Sequence, residues 1–162
     1  MITEERCRRH VFDLVENPMK PPRGRIKADP IAWMVSHAVG ERITEEPASS
    51  DAGPTGLVVV SSIGPVTTLT QVRNHTGTGR LSPRLFAAAA PGTLAAVACI
   101  VHGLHGPSMV LTSLGDHGMD VLGPVVTRWL SSGCGRVVIA CHEQPAPDRH
   151  IVTTTIQPNG TS

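Results

Sequence analysis

Several groups of side chains in this 162-residue chain are of types that do chemistry. Asp116 and His117 open a stretch of helical period that runs to Ser131. An imidazole there can pass protons near neutral pH, with the neighbouring carboxylate orienting it. The same two residues also read as a helix cap and a solvated first-turn histidine. A helix amino terminus disfavours an imidazolium, which suits a base better than an acid. Ser113, just upstream, offers a hydroxyl for binding or attack, but attack needs a base that the sequence does not place beside it. His102 and His105 form an H-x-x-H, with Cys141 and His142 as distant candidates for further ligands. Zinc needs at least a third ligand and a supporting shell, so no metal is expected. His75, Thr76 and Thr78 lie in a Thr/Gly-rich stretch and suggest no particular chemistry.

Composition narrows the setting. The chain is 40% apolar and 17% charged, with a formal net charge of +1, the balance of a soluble globular domain. Its longest unbroken apolar run, Leu94 to Val101, is far shorter than the ~20 residues that span a bilayer. Met1 to Arg9 carries no charged-then-apolar leader pattern, so a cytoplasmic protein with free thiols is expected. Only Phe12, Trp33, Phe86 and Trp129 are aromatic, and there is no net positive field, which together argue against nucleic acid as a partner. Residues 1–28 read as a polar arm broken by prolines and carrying Arg8, Arg9, Lys20, Arg23, Arg25 and Lys27. Such an arm either contacts an acidic partner or is simply solvated. Residues 29–162 read as one domain.

These residues need elements to hold them. Asp29-Pro30 starts a helix, with Ile31, Met34, Val35, Ala38 and Val39 on one face. A loop is expected over 44–55, then a buried strand over Gly56 to Ile63, closed by Gly64-Pro65. Thr67 to Gly79 shows no period. Leu81-Ser82-Pro83 opens a new segment, and Pro91 to Gly103 reads as a buried helix. Ser108 to Leu114 is a second strand. The helix from Asp116 to Ser131 turns Met119, Leu122, Val126, Trp129 and Leu130 inward. Arg136 to Ala140 and Ile151 to Ile156 are two more strands. Alternation of this kind predicts an α/β fold, a layered and mostly parallel sheet with helices on both faces.

Three segments also carry a resemblance: Gly56-Leu57-Val58-Val59-Val60-Ser61-Ser62-Ile63-Gly64, Arg80-Leu81-Ser82-Pro83-Arg84-Leu85-Phe86, and Gly106-Pro107-Ser108-Met109-Val110-Leu111-Thr112-Ser113 followed by Gly118-Met119-Asp120. Together they resemble the amino-terminal half of β-ketoacyl synthases, of the thiolase fold. The Arg80 to Phe86 segment is similar to the LSP-x-x-F stretch of a subgroup related to chain-length factors. The resemblance implies half of a thiolase-like fold, with the family's nucleophilic cysteine falling at Gly115, where no thioester can form. The family's second half, which supplies its catalytic histidines, has no counterpart in this sequence.

The implied protein is therefore a non-condensing, half-length relative in polyketide or fatty-acid-type biosynthesis. It would bind an acyl carrier protein, an acyl chain on the carrier's phosphopantetheine arm, or a full ketosynthase. Its pocket would lie at the strand-to-helix junction of Ser113, Gly115 and Gly118, with no metal or resident cofactor. The family's strand matching Ser108 to Leu114 pairs across a dimer, which implies a homodimer or a heterodimer with a ketosynthase-like chain. That dimer would cover the helix over 116–131, expected to show an uncovered apolar face. The alternative is an enzyme that moves protons on a carrier-bound acyl chain, a double-bond isomerase or dehydratase using His117 and Asp116.

Overall fold

A computed structural model describes residues 7–16, 26–49, 52–77, 79, 82–112 and 117–160, with the backbone alone for 117–119. The elements run β1 (Arg8–Asp13), α1 (Pro30–Glu45), β2 (Thr55–Ser61), α2 (Val66–Thr76), α3 (Pro83–Ala88), α4 (Thr93–His102), β3 (Ser108–Leu111), α5 (His117–Ser131), β4 (Arg136–Ala146) and β5 (Arg149–Pro158). They build one five-stranded mixed sheet in the order β1-β5-β4-β2-β3. β2 runs parallel to both β3 and β4, while β5 is antiparallel to β4 and β1. Helices cover both faces, as the alternation predicted. α1 and α4 pack with Leu57, Val59, Val138, Ala140 and Val152 on one face. On the other, Leu122 and Val126 of α5 meet Val58, Val137 and Ile139.

α1 begins where the sequence places it, and Asp29 does more than cap it. One carboxylate oxygen accepts from the Ile31 N–H (3.0 Å); the other accepts from the Thr68 N–H (2.7 Å), in the first turn of α2. A single buried carboxylate thus holds two helix amino termini, where its charge is favoured. Asp29→Ala leaves both amides unpaired, and urea denaturation should show a loss of about 2 kcal/mol. Asp29→Asn should recover part of it.

Four expectations change. The polar arm contains β1, whose His10 and Phe12 lie on the α1 side of the sheet: Arg8 meets Glu45 (2.9 Å) and His10 meets Glu41 (3.3 Å). The unassigned stretch forms α2, which buries only Thr68 and leaves Val66 and Leu69 exposed, so its few apolar residues do not mark a core face. α4 is buried on one side only: Leu94, Ala95, Val97 and Ala98 face the core, while Ile100 and Val101 are exposed. The inward face expected for α5 is not left open, because its Leu122 and Val126 rest on the sheet. Exposed apolar residues among those described include Ile100 and Val101 on α4 and Met109 on β3, with Val121 on the outer side of α5.

Candidate functional site

In open α/β sheets, ligands bind beyond the carboxyl ends of the parallel strands, where neighbouring connections diverge to opposite faces. Here that place is the end of β2, whose chain leaves toward α2 and α4 while β3 leads into α5. β3 ends beside it at Leu111, and α5 begins at His117; the junction expected to carry the site is the connection between them. Ser113, Gly115 and Asp116 fall outside the described residues. His117 and Gly118 form the first turn of α5.

Beside this junction the structure assembles a group that the sequence pattern did not join. β2 and β4 pair Ser61 with His142, and β4 and β5 bring His150 next to it. Ser61 Oγ is 2.9 Å from His142 Nδ1, and His142 Nε2 is 2.9 Å from His150 Nδ1. All three residues are buried. The Gly64 N–H donates to Ser61 Oγ (3.1 Å), closing the turn that ends β2. Gly64 adopts φ +60°, a left-handed conformation that glycine enters without steric cost. Thr112, just past the end of β3, lies near this turn: a Cβ on Gly64 would be 3.7 Å from its Cγ2.

Burial, and secondarily His150, pulls the His142 pKa down to about 4. Burial lowers His150 as well, opposed by the Asp29 and Asp148 carboxylates. Both imidazoles are thus neutral at pH 7. The sequence held one signal for this group: Ser61 and His142 continue the alternation of core positions 57, 59 and 138, 140. A polar residue at such a position needs a buried partner.

The other candidates separate. His102 Nε2 donates to the Ser36 carbonyl oxygen (2.8 Å), tying α4 to α1. Cys141 and His142 point to opposite faces of β4, as neighbours on a strand must, so they do not act as adjacent ligands. Among the described residues, no three His, Cys, Asp or Glu side chains converge as metal ligands. Among those residues, too, no helix is long and apolar enough to cross a membrane. His75 Nδ1 lies 2.7 Å from the Gln71 carbonyl oxygen on exposed α2; Thr76 bonds the Arg73 carbonyl oxygen, and Thr78 is outside the described residues. Burial raises the thiols of Cys99, Cys134 and Cys141, the reverse of what a nucleophile requires. A cleft of about 780 Å³ opens at the opposite end of the sheet, between the end of α1, Gly53, Gly135 and Arg136. It is remote from the strand-end groups.

No family model matches the sequence, and no curated protein matches it. Solved structures do. One is the complex of the ketosynthase ApeO with its chain length factor ApeC from Xenorhabdus doucetiae: TM-score 0.66, 14% identity, 82% of this chain and 58% of that one covered. Another is the ishigamide ketosynthase/chain length factor: TM-score 0.62, 14% identity, 87% of this chain and 47% of that one covered. The chain therefore spans about half the length of these structures and shares their thiolase-like fold.

Proposed function

We propose that this chain is a non-condensing, ketosynthase-like protein of polyketide or fatty-acid-type biosynthesis that pairs with a ketosynthase-like chain through the free edge of β3. The observation that carries the reading is the edge itself. The Leu57 N–H donates to the Pro107 carbonyl oxygen, so strand alternation turns the amides of Ser108 and Val110 away from β2. Among the described residues these amides have no strand partner, and Met109 on the same strand and Ile100 and Val101 on α4 are exposed. An open edge bordered by apolar side chains is a template for another strand, which proteins leave bare only where a partner covers it. The fold shared with ketosynthase/chain length factor structures supports a ketosynthase-like partner.

The glycine at 115, where the resemblance puts the nucleophile, and the raised thiols of Cys99, Cys134 and Cys141 support loss of the condensing step. The junction of Ser113, Gly115 and Gly118 would then receive an acyl chain on the phosphopantetheine arm of a carrier protein. It would bind and shape that chain without forming a bond to it.

The test is a solution mass alone and after mixing with a full-length ketosynthase from the same cells. A dimer or a 1:1 complex is expected. Met109→Glu and Val101→Glu, each placing a charge in the joint, should weaken it about 100-fold while leaving the circular dichroism unchanged. A monomer that ignores the ketosynthase, or complexes indifferent to both substitutions, would overturn the reading.

A further inference from the structure

Only one proton order of Ser61, His142 and His150 gives the Ser61 hydroxyl an acceptor within the group. The Gly64 N–H donates to Ser61 Oγ, so the hydroxyl is free to donate onward to His142 Nδ1. His142 then carries its proton on Nε2 and donates to the bare Nδ1 of His150. His150 keeps its proton on Nε2. With two neutral rings, each contact between the three residues then sets one donor against one acceptor. A third ring proton breaks the order wherever it lands. On His142 Nδ1 it removes the acceptor of the buried Ser61 hydroxyl. On His150 Nδ1 it sets two N–H groups against each other across 2.9 Å, in rings stacked at 5.2 Å. An unpaired buried donor is costly, so the group responds by separating.

We propose that Ser61, His142 and His150 form a proton-sensitive latch, which at neutral pH holds the Ser61–Gly64 turn closed at the end of β2 and releases it when either ring gains a second proton. The charges facing the latch are Asp29 at the head of α1 and Asp148 in the β4–β5 turn, both on the His150 side. β1 sets only Phe12 opposite His150. The carboxylates favour His150 as the first ring to charge, whereas among the described residues the one titratable group acting on His142 is His150. Release frees Ser61 Oγ and the Gly64 amide from their bond and lets the turn that ends β2 move. This inference is independent of what the junction binds.

Nuclear magnetic resonance on the whole chain tests it. At pH 7 the imidazole nitrogens should report His142 protonated on Nε2 alone, and the Gly64 amide should be protected from exchange. Between pH 7 and 4.5, Gly64 protection should fall at least 10-fold relative to the amides of Val58 and Val59 at the centre of β2, as the rings titrate. His142→Asn keeps a polar atom near the Nδ1 position but has no proton to gain, and should make the ratio independent of pH. Nδ1 protonation of His142 at pH 7, or a constant Gly64 ratio while the rings titrate, would overturn the latch. Both outcomes are read on the wild-type chain, so the test survives a variant that does not fold.

Discussion

Gly106→Ala is expected to cost about 4 kcal/mol, enough to leave much of the chain unfolded at 37 °C. Gly106 lies in the connection from α4 to β3, and its N–H donates to the Thr55 carbonyl oxygen (3.1 Å). An added Cβ would collide with that oxygen and stand 2.7 Å from the Gly56 nitrogen. The obstruction is backbone, so no side chain can rotate away. Relief requires β3 to move off the start of β2, which breaks the Gly106–Thr55 bond and the adjoining Leu57–Pro107 bond, about 1 kcal/mol each beyond the strain. Gly77→Ala is the control: its backbone is right-handed, and nothing lies within 4 Å of the new carbon. It should unfold within about 0.5 kcal/mol of the wild type. Urea melts of the two variants check the contrast, and equal midpoints would contradict it.

Acidification is expected to produce the second large effect. In the unfolded chain His142 takes a proton near its ordinary value of 6.5, but in the folded chain only near 4. Between those values the unfolded state binds a proton that the folded state refuses. Stability is therefore complete above about pH 6.5, declines as the pH falls, and stops declining below about pH 4. His142 alone accounts for about 3 kcal/mol across that window. His150 and His10, both lowered chiefly by burial, act in the same direction. Urea unfolding at pH 7.5 and at pH 4 measures the difference. His142→Asn should remove most of the slope, although it also loses the His150 contact and so starts from a lower stability at pH 7.5. A wild-type midpoint unchanged between the two pH values would mean that His142 titrates normally in the folded chain.

The two predictions differ in how far the sequence alone makes them legible. Gly106 stands in a segment whose resemblance to ketosynthases is visible in the sequence, and Gly-Pro before a β-branched run already marks a chain entering a strand. What the sequence does not contain is the closeness of Thr55, 51 residues earlier, which makes a side chain at 106 intolerable. His142 is visible there only as a neighbour of Cys141, suggesting ligation. The strand sends those two side chains to opposite faces and gives His142 a partner 81 residues away.

The sequence by itself determined the local and periodic features. Asp29-Pro30 caps a helix because an acid before proline satisfies its first amides, and the β-branched runs are strands because their side chains fit a buried pleat. The α/β class follows from their alternation. Tertiary structure decided whatever depends on register and neighbours. Arg8–Asp13 is a strand despite its charge because Glu41 and Glu45 of α1 meet its basic residues. α2 is a helix although it buries only Thr68 of its own surface, because Asp29 caps it from another element. Ile100 and Val101 of α4 and Met109 of β3 stay bare, whereas Leu122 and Val126 of α5 are buried on the sheet. Ser61, His142 and His150 meet because strand order places three distant residues in one row. Short-range patterns encode how a segment folds; which segments become neighbours is set by the joint burial of their faces, and no single segment carries that information.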